Sequence, residues 1–392
     1  MRGEGDRVAK RKQHYVPQVY LKAWETQVET LKDPDNKFKG VYTFECSSGI
    51  GDGANKASIL WMSQLYTIRF EHRYICTSCP RVLNYFVERI YNLMRVETDK
   101  PVYAKFGYSI IKTKASIRKH FFDIDDWQFY YDNGNLGKQK AIMNKICALN
   151  CYILETEFDD FFEKQWESVR TSFVQEVKRA IPKTLNSSER IISMSVANKM
   201  LSFFFVMLCR SPYFTAMGFY ERIKRNLLYP SFESMFLNAT GDETRGIVTE
   251  DTKHIISDAH SYVDGIFEGI WMSELYRILF GGSGGFYYNI LDHVRDGCQL
   301  ILFETEQGAD HFITSDNPAF ENRLMITTEN WNGFIFPLTP EYLVLIGKGG
   351  DALNMVDYRI ARAETVKKLN QIIANNKKNT VIADRKHLRL DL

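Results

Sequence analysis

The sequence predicts an α+β fold with a helical middle and a mostly antiparallel sheet formed largely by the C-terminal third. Three observations predict it. Between about residues 138 and 295, apolar residues recur at helical spacing over long stretches. After Gly297 the texture changes to short β-like runs separated by Gly, Asn and Pro. An early run, Val41–Cys46, alternates apolar and polar residues like a strand and can add to the same sheet.

Taken in order, residues 1–12 are polar and basic, with Arg2, Arg7, Lys10, Arg11 and Lys12, and read as an arm. From Tyr15 to Trp24, Val16, Val19, Tyr20 and Ala23 recur at helical spacing, and Pro17 suits a first helical turn. Turn-rich Ser47–Gly53 follows the early strand, and a second strand is expected in Leu65–Phe70. Lys138–Glu155 sets Ile142, Ile146, Leu149 and Ile153 in one stripe. Phe158–Ala180 is amphipathic and stops at Ile181-Pro182. Asn186–Glu189 offers capping residues for a helix running to about Arg210, where Ser211-Pro212 ends it. Helices are expected over 213–228 and 247–280. The later strands fall at Gln299–Glu304, His311–Thr314, Phe334–Phe336 and Tyr342–Ile346. A helix over Ala361–Asn375 precedes a last strand, Thr380–Ala383. This gives four parts: a basic arm (1–12), an N-terminal α+β part (13–137), a helical bundle (138–295) and a C-terminal α+β part (296–392) that packs with the N-terminal segment. Trp61–Tyr66 and Trp271–Tyr276 are near-duplicates without a wider repeat and read as coincidence.

The 45% of hydrophobic residues is ample for a large core, and 27 Phe and 21 Tyr make that core aromatic. A net charge of +2 gives no overall bias toward nucleic acid or an anionic membrane, so such binding needs a local patch. Seven cysteines, an odd number spread along the chain, do not form a disulfide pattern, which points to a reducing cytoplasm. The first residues lack the apolar run of a signal peptide. The most apolar stretch, Ile191–Cys209, carries Asn198 and Lys199 near its centre and reads as a buried helix of a soluble protein, not a membrane span.

Two distant segments stand out as halves of one site. The first is Gln13-His14-Tyr15-Val16-Pro17, next to the basic arm. A histidine there can act as a base or ligand near neutral pH, or it can anchor the chain by capping a backbone carbonyl. The second is Ser315-Asp316-Asn317-Pro318, which closes an apolar run. A carboxylate at a strand end can hold a metal or orient a histidine, but Asp-Asn-Pro is also a strong turn. The candidate catalytic residues are therefore His14, Asp316 and Asn317, with Lys12, Gln13, Tyr15 and Ser315 as substrate-binding candidates. No metal ligands are assigned, although a divalent ion is the cofactor such a pair would use.

These segments carry a resemblance. Gln13–Lys22 and Ile313–Pro318 resemble the two signature segments of domain of unknown function family 4238. Phe336–Pro340 and Leu369–Ala374 also fit that family's C-terminal pattern. The chain departs from it at Val19, usually aromatic, and at Trp24, where Phe is commoner. The family brings no established activity, so the resemblance implies only that the His14 and Asp316 segments belong together.

Other motifs are weaker. Cys76-Thr77-Ser78-Cys79 and the Cys147/Cys151 pair could supply four thiolates to zinc, but cysteines inside an amphipathic helix are commonly small core residues. Gly281–Gly285 lacks the Lys-Ser/Thr of a phosphate loop and reads as a joint between helices. Two readings of function follow. In one, the protein is a hydrolase, phosphodiesterase- or nuclease-like, with residues 7–12 steering nucleic acid or another anionic substrate toward His14. In the other, it is a non-catalytic interaction or small-ligand-binding protein in which these residues are structural.

Overall fold

The computed structural model describes residues 12–45, 49–97, 99–182, 184, 187–213, 219–245, 248–280, 297–322, 333–348 and 352–388. The fold class is α+β, and two compact units make it up. The first takes the described residues of Met1–Leu65, Glu157–Met217 and Arg277–Leu392, and the second those of Tyr66–Thr156 and Gly218–Tyr276. Gly281–Gly285 lies outside the described residues.

The first unit holds two larger sheets. One runs Glu189–Ile191, Met355–Ala361, Cys298–Thr305, Tyr342–Lys348, Gly333–Pro337, Phe320–Asn322. Its pairs are antiparallel except that between Cys298–Thr305 and Met355–Ala361, which is parallel. The early strands do not extend this sheet. Phe38–Phe44 instead pairs with Thr26–Val28, Asp52–Ala54 and Val381–Ala383, and the last of these also pairs with Thr314–Ser315. Side chains of both sheets meet one apolar cluster that includes Tyr42, Phe44, Phe303, Phe312, Leu343 and Val381. Helix Ala363–Asn376 buries Val366, Leu369, Ile372 and Ile373 in the same cluster, the i, i+3, i+6, i+7 stripe expected of an amphipathic helix.

Helix Met194–Arg210 is nearly all buried from Met200 onward, consistent with the apolar run read from sequence. Its cap is Ser193, whose Oγ accepts the Val196 N–H at 3.4 Å, and not the Asn186–Glu189 cluster. Glu189–Ile191 is drawn into the sheet edge against Met355–Asp357, so tertiary pairing overrides a local capping signal. The Tyr15–Trp24 segment is also shorter than expected: a helix at Gln18–Leu21, with Pro17 just before it, continues as a 3₁₀ turn at Lys22–Trp24.

In the second unit, a three-stranded sheet (Ser109–Ile111, Val102–Phe106, Gln128–Tyr131) accompanies helix Pro80–Arg95. Phe70 meets Phe86 and Phe121 edge-on and Phe86 stacks on Phe121, at centroid distances of 5.5–6.4 Å, in its core. The strand expected over Leu65–Phe70 shrinks to Ile68–Arg69, paired with Asn150–Cys151, which interrupts the helix expected across Lys138–Glu155. Helix Glu250–Phe280 agrees with the periodicity over 247–280. Among the described residues, no helix is long and apolar enough to cross a membrane.

Candidate functional site

The two signature segments meet through aromatic side chains. Tyr20 and Trp24 are both fully buried. The Tyr20 hydroxyl donates to the Pro337 carbonyl at 2.8 Å and lies 2.8 Å from Thr314 Oγ1, while Trp24 Nε1 donates to the Phe312 carbonyl at 3.0 Å. Burial raises the Tyr20 phenol well above its ordinary range, so it stays protonated and able to donate.

His14 ends the strand Lys12–His14, opposite Trp61. Its ring lies 3.4–3.5 Å from the Gln18 amide nitrogen, and its carbonyl accepts from Arg210 Nη2 at 2.6 Å. Lys12 places its ammonium 4.4 Å from the Trp61 ring centroid, and Gln13 is buried. Tyr15 reaches the Tyr213 hydroxyl at 3.4 Å.

Asp316 has no exposed surface. Its two carboxylate oxygens accept the backbone N–H groups of Lys378 (2.8 Å) and Asn379 (2.7 Å), and its own N–H donates to the Thr380 carbonyl at 3.0 Å. Burial raises the carboxyl's pKa, with those backbone donors pulling the other way. Ser315 Oγ accepts the Asn317 N–H at 3.1 Å, and the Asn317 amide donates to the Asn376 carbonyl at 3.2 Å. Ser315, Asp316 and Asn317 thus fix the turn between helix Ala363–Asn376 and the last strand. The Asn379 amide donates to the Tyr213 hydroxyl at 3.2 Å, so Tyr213 links the Tyr15 and Asp316 turns.

A second cluster, none of whose residues the sequence had marked, lines a cleft of about 560 Å³. Register builds it. Glu304 sits opposite Tyr342 on one neighbouring strand and Ile360 on the other, and Tyr358 shares that face two residues away. Glu304 Oε1 accepts from Lys178 Nζ at 2.7 Å and from the Tyr342 hydroxyl at 3.1 Å, while Oε2 accepts from the Tyr358 hydroxyl. Burial alone would raise the Glu304 carboxyl, but these donors outweigh it and hold it below the usual carboxylate range. The same bonds hold the Lys178 ammonium above its usual value, and burial with the carboxylate pushes the Tyr358 phenol up to about 12.

His311 lines the same cleft. Its Nδ1 lies 2.5 Å from Asp384 Oδ2, and that bond raises the imidazole's pKa. Asp384, which burial would raise, is held low by its histidine. The His311 carbonyl accepts from Asn370 Nδ2 (2.8 Å) and Arg385 Nη2 (3.0 Å), which pins the residue's backbone. The arrangement resembles an oriented imidazole whose second nitrogen is available for proton transfer or hydrogen bonding. The signal in the sequence was slight: a glutamate ending the run Gln299–Glu304, a histidine opening His311–Thr314, and an aspartate following the last strand.

The second unit holds the cysteines once considered for zinc. Cys76, Cys79 and Cys151 are buried, Cys147 is exposed, and none is in a disulfide. Burial pushes the Cys76 and Cys151 thiols up to about 12, which keeps them protonated. Among the described residues, no group of three or more His, Cys, Asp or Glu side chains is placed to hold a metal ion. His72 is 1% exposed, with Nε2 3.3 Å from Arg69 Nη2 and Nδ1 buried without a hydrogen-bond partner.

Fold and sites together define an α+β protein whose distant signature segments close on one core beside an open polar cleft. The family model for a protein of unknown function (DUF4238) matches residues 12–387, and the chain belongs to that family. No curated protein and no solved structure matches it.

Proposed function

We propose that this protein binds a small polar molecule in the Glu304–His311 cleft, and that the His14 and Asp316 segments fasten its fold. One observation carries the reading: the Asp316 carboxylate is enclosed, with both oxygens taken by backbone amides, whereas the cleft offers about 560 Å³ lined by ionisable side chains. Small-molecule sites span about 300–1,000 Å³ with a few convergent polar groups. In this reading Lys12, Gln13, Tyr15 and Ser315 hold the segments in place, and His14 and Asn317 complete the fastening.

Thermal denaturation with a panel of small polar compounds, followed by the His311 imidazole resonances, tests it. A ligand that raises the melting temperature and moves those resonances is expected, and His14→Ala and Asp316→Asn are expected to melt lower. Variants that melt like the native protein but lose ligand would move the site to His14 and Asp316.

Hydrolysis, of a phosphodiester or another substrate, is the second reading. The Asp384–His311 pair favours it, because a carboxylate on Nδ1 orients the ring so that Nε2 can take a proton from water. Turnover of a chromogenic phosphodiester that His311→Ala abolishes would support it. Arg7, Lys10, Arg11 and Lys12 support an anionic partner such as nucleic acid. The unbridged Cys76 and Cys151 support a reducing cytoplasmic setting.

A further inference from the structure

The charges around the cleft narrow the chemistry of what enters it. Its lining carries three carboxylates, Glu304, Glu306 and Glu341, with Lys178 and His311 as the basic groups. Both basic groups are already engaged: Lys178 with Glu304 at 2.7 Å, and His311 with Asp384, which is not part of the lining. Among the described residues Glu306 and Glu341 form no salt bridge; both are exposed at the cleft, and Glu341 accepts from Thr339 Oγ1 at 2.8 Å and acts on His311 and Arg170 at longer range. The Thr305 N–H donates to the Glu341 carbonyl at 3.0 Å, which keeps residues 306 and 341 on adjacent strand ends.

The cleft's own lysine shows how this surface seats an ammonium. The alkylammonium of Lys178 is seated between the Glu304 carboxylate and the Tyr342 hydroxyl (3.1 Å), 5.5 Å from the Tyr342 ring centroid. A carboxylate joined to a phenol and a ring face is a favourable seat for an organic cation. Beside it Ile360, 53% exposed, offers an apolar contact for a hydrocarbon stem.

We propose that the ligand of this cleft is a linear alkyl di- or polyamine. Its ammonium groups pair with Glu306 and Glu341, and its methylene chain lies along Ile360 and the Tyr342 and Tyr358 rings. The inference rests on the cleft being a ligand site, as proposed above, and adds the ligand's class.

The test compares three four-carbon compounds on the full chain: 1,4-diaminobutane, butane-1,4-diol and succinate. Binding is read by isothermal titration and by the His311 imidazole resonances, and spermidine serves as the longer amine. The diamine is expected to bind at least tenfold more tightly than the diol and to weaken with salt. Glu306→Gln with Glu341→Gln should lose at least tenfold in affinity while the melting temperature of the free protein holds. If the diol binds as well as the diamine, or succinate binds in its place, the amine class is overturned and the cleft remains a ligand site. If spermidine and all three compounds leave the His311 resonances unmoved up to millimolar concentration, the amine class is overturned and the cleft reading loses its support as well.

Discussion

His72 and Asp316 are both polar and buried, and they respond differently to change. Burial first, then the Arg69 guanidinium, lowers the His72 pKa to about 4, against 6.5 in the unfolded chain. Folding therefore selects the neutral ring. Its contribution to stability is complete above pH 6.5, falls as the pH drops from there toward 4, and is gone below that. The loss is on the order of 3 kcal/mol. Chemical denaturation of the native protein and His72→Asn between pH 7 and 4 should show the variant with the shallower pH dependence; parallel curves would count against the assignment. Asp316→Asn leaves one of two backbone donors without its carboxylate acceptor, and a loss of about 1–3 kcal/mol is expected from the denaturation midpoint. The sequence left Asp316 open as a turn, the favoured reading of the segment taken alone, or a site residue, because Asp-Asn-Pro looks alike in both. What distinguishes them is that both oxygens reach amides some sixty residues onward, a contact with no local pattern.

At the scale of elements, periodicity was legible and recruitment was not. The stripe over Ala361–Asn375 became helix Ala363–Asn376, and the run to Cys209 became the buried helix Met194–Arg210. Within the latter, Phe204 is fully buried, with ring centroids 5.3 Å from Phe334 and 5.9 Å from Phe336. Phe204→Ala should cost about 3–5 kcal/mol, measured by equilibrium unfolding. Ser193→Ala should cost about 1 kcal/mol through loss of the cap. Glu189–Ile191 and Asn150–Cys151 were read as parts of helices and became strands, since each is held by a partner remote in sequence. The cleft was hidden for the same reason. Glu304, Lys178, Tyr342 and Tyr358 come together only once three strands and the end of helix Trp166–Arg179 are in register, and alone the first, third and fourth are ordinary half-buried residues and Lys178 an exposed one. Tyr358→Phe should release part of the restraint on Glu304 and raise its carboxyl pKa, a shift that side-chain NMR can follow.

Across the whole chain, the sequence announced an α+β protein and its family, and both hold; Tyr20 and Trp24 reach Thr314 and the Phe312 carbonyl across nearly three hundred residues. It did not announce that each unit is assembled from separated stretches, because nothing local marks where the chain leaves one unit and returns. The strand Val381–Ala383 shows the consequence most plainly, lying between Phe38–Phe44 and Thr314–Ser315. A chain cut after residue 379 lacks that strand, and it should lose the cooperative unfolding transition of its unit, as monitored by near-ultraviolet circular dichroism.

The same strand sets a timetable for synthesis. One edge of Phe38–Phe44 leaves the ribosome long before its neighbour Val381–Ala383, which is made about 340 residues later. At about 5–20 residues per second, that edge waits roughly 20–70 s for its partner. Throughout that interval the nascent polypeptide carries an open strand edge flanked by Tyr42 and Phe44, the kind of surface that recruits chaperones or pairs with a neighbouring chain. Completion of this sheet therefore waits on chain made long after its first strand, and the yield in the cell should fall where holding capacity at the ribosome is limiting.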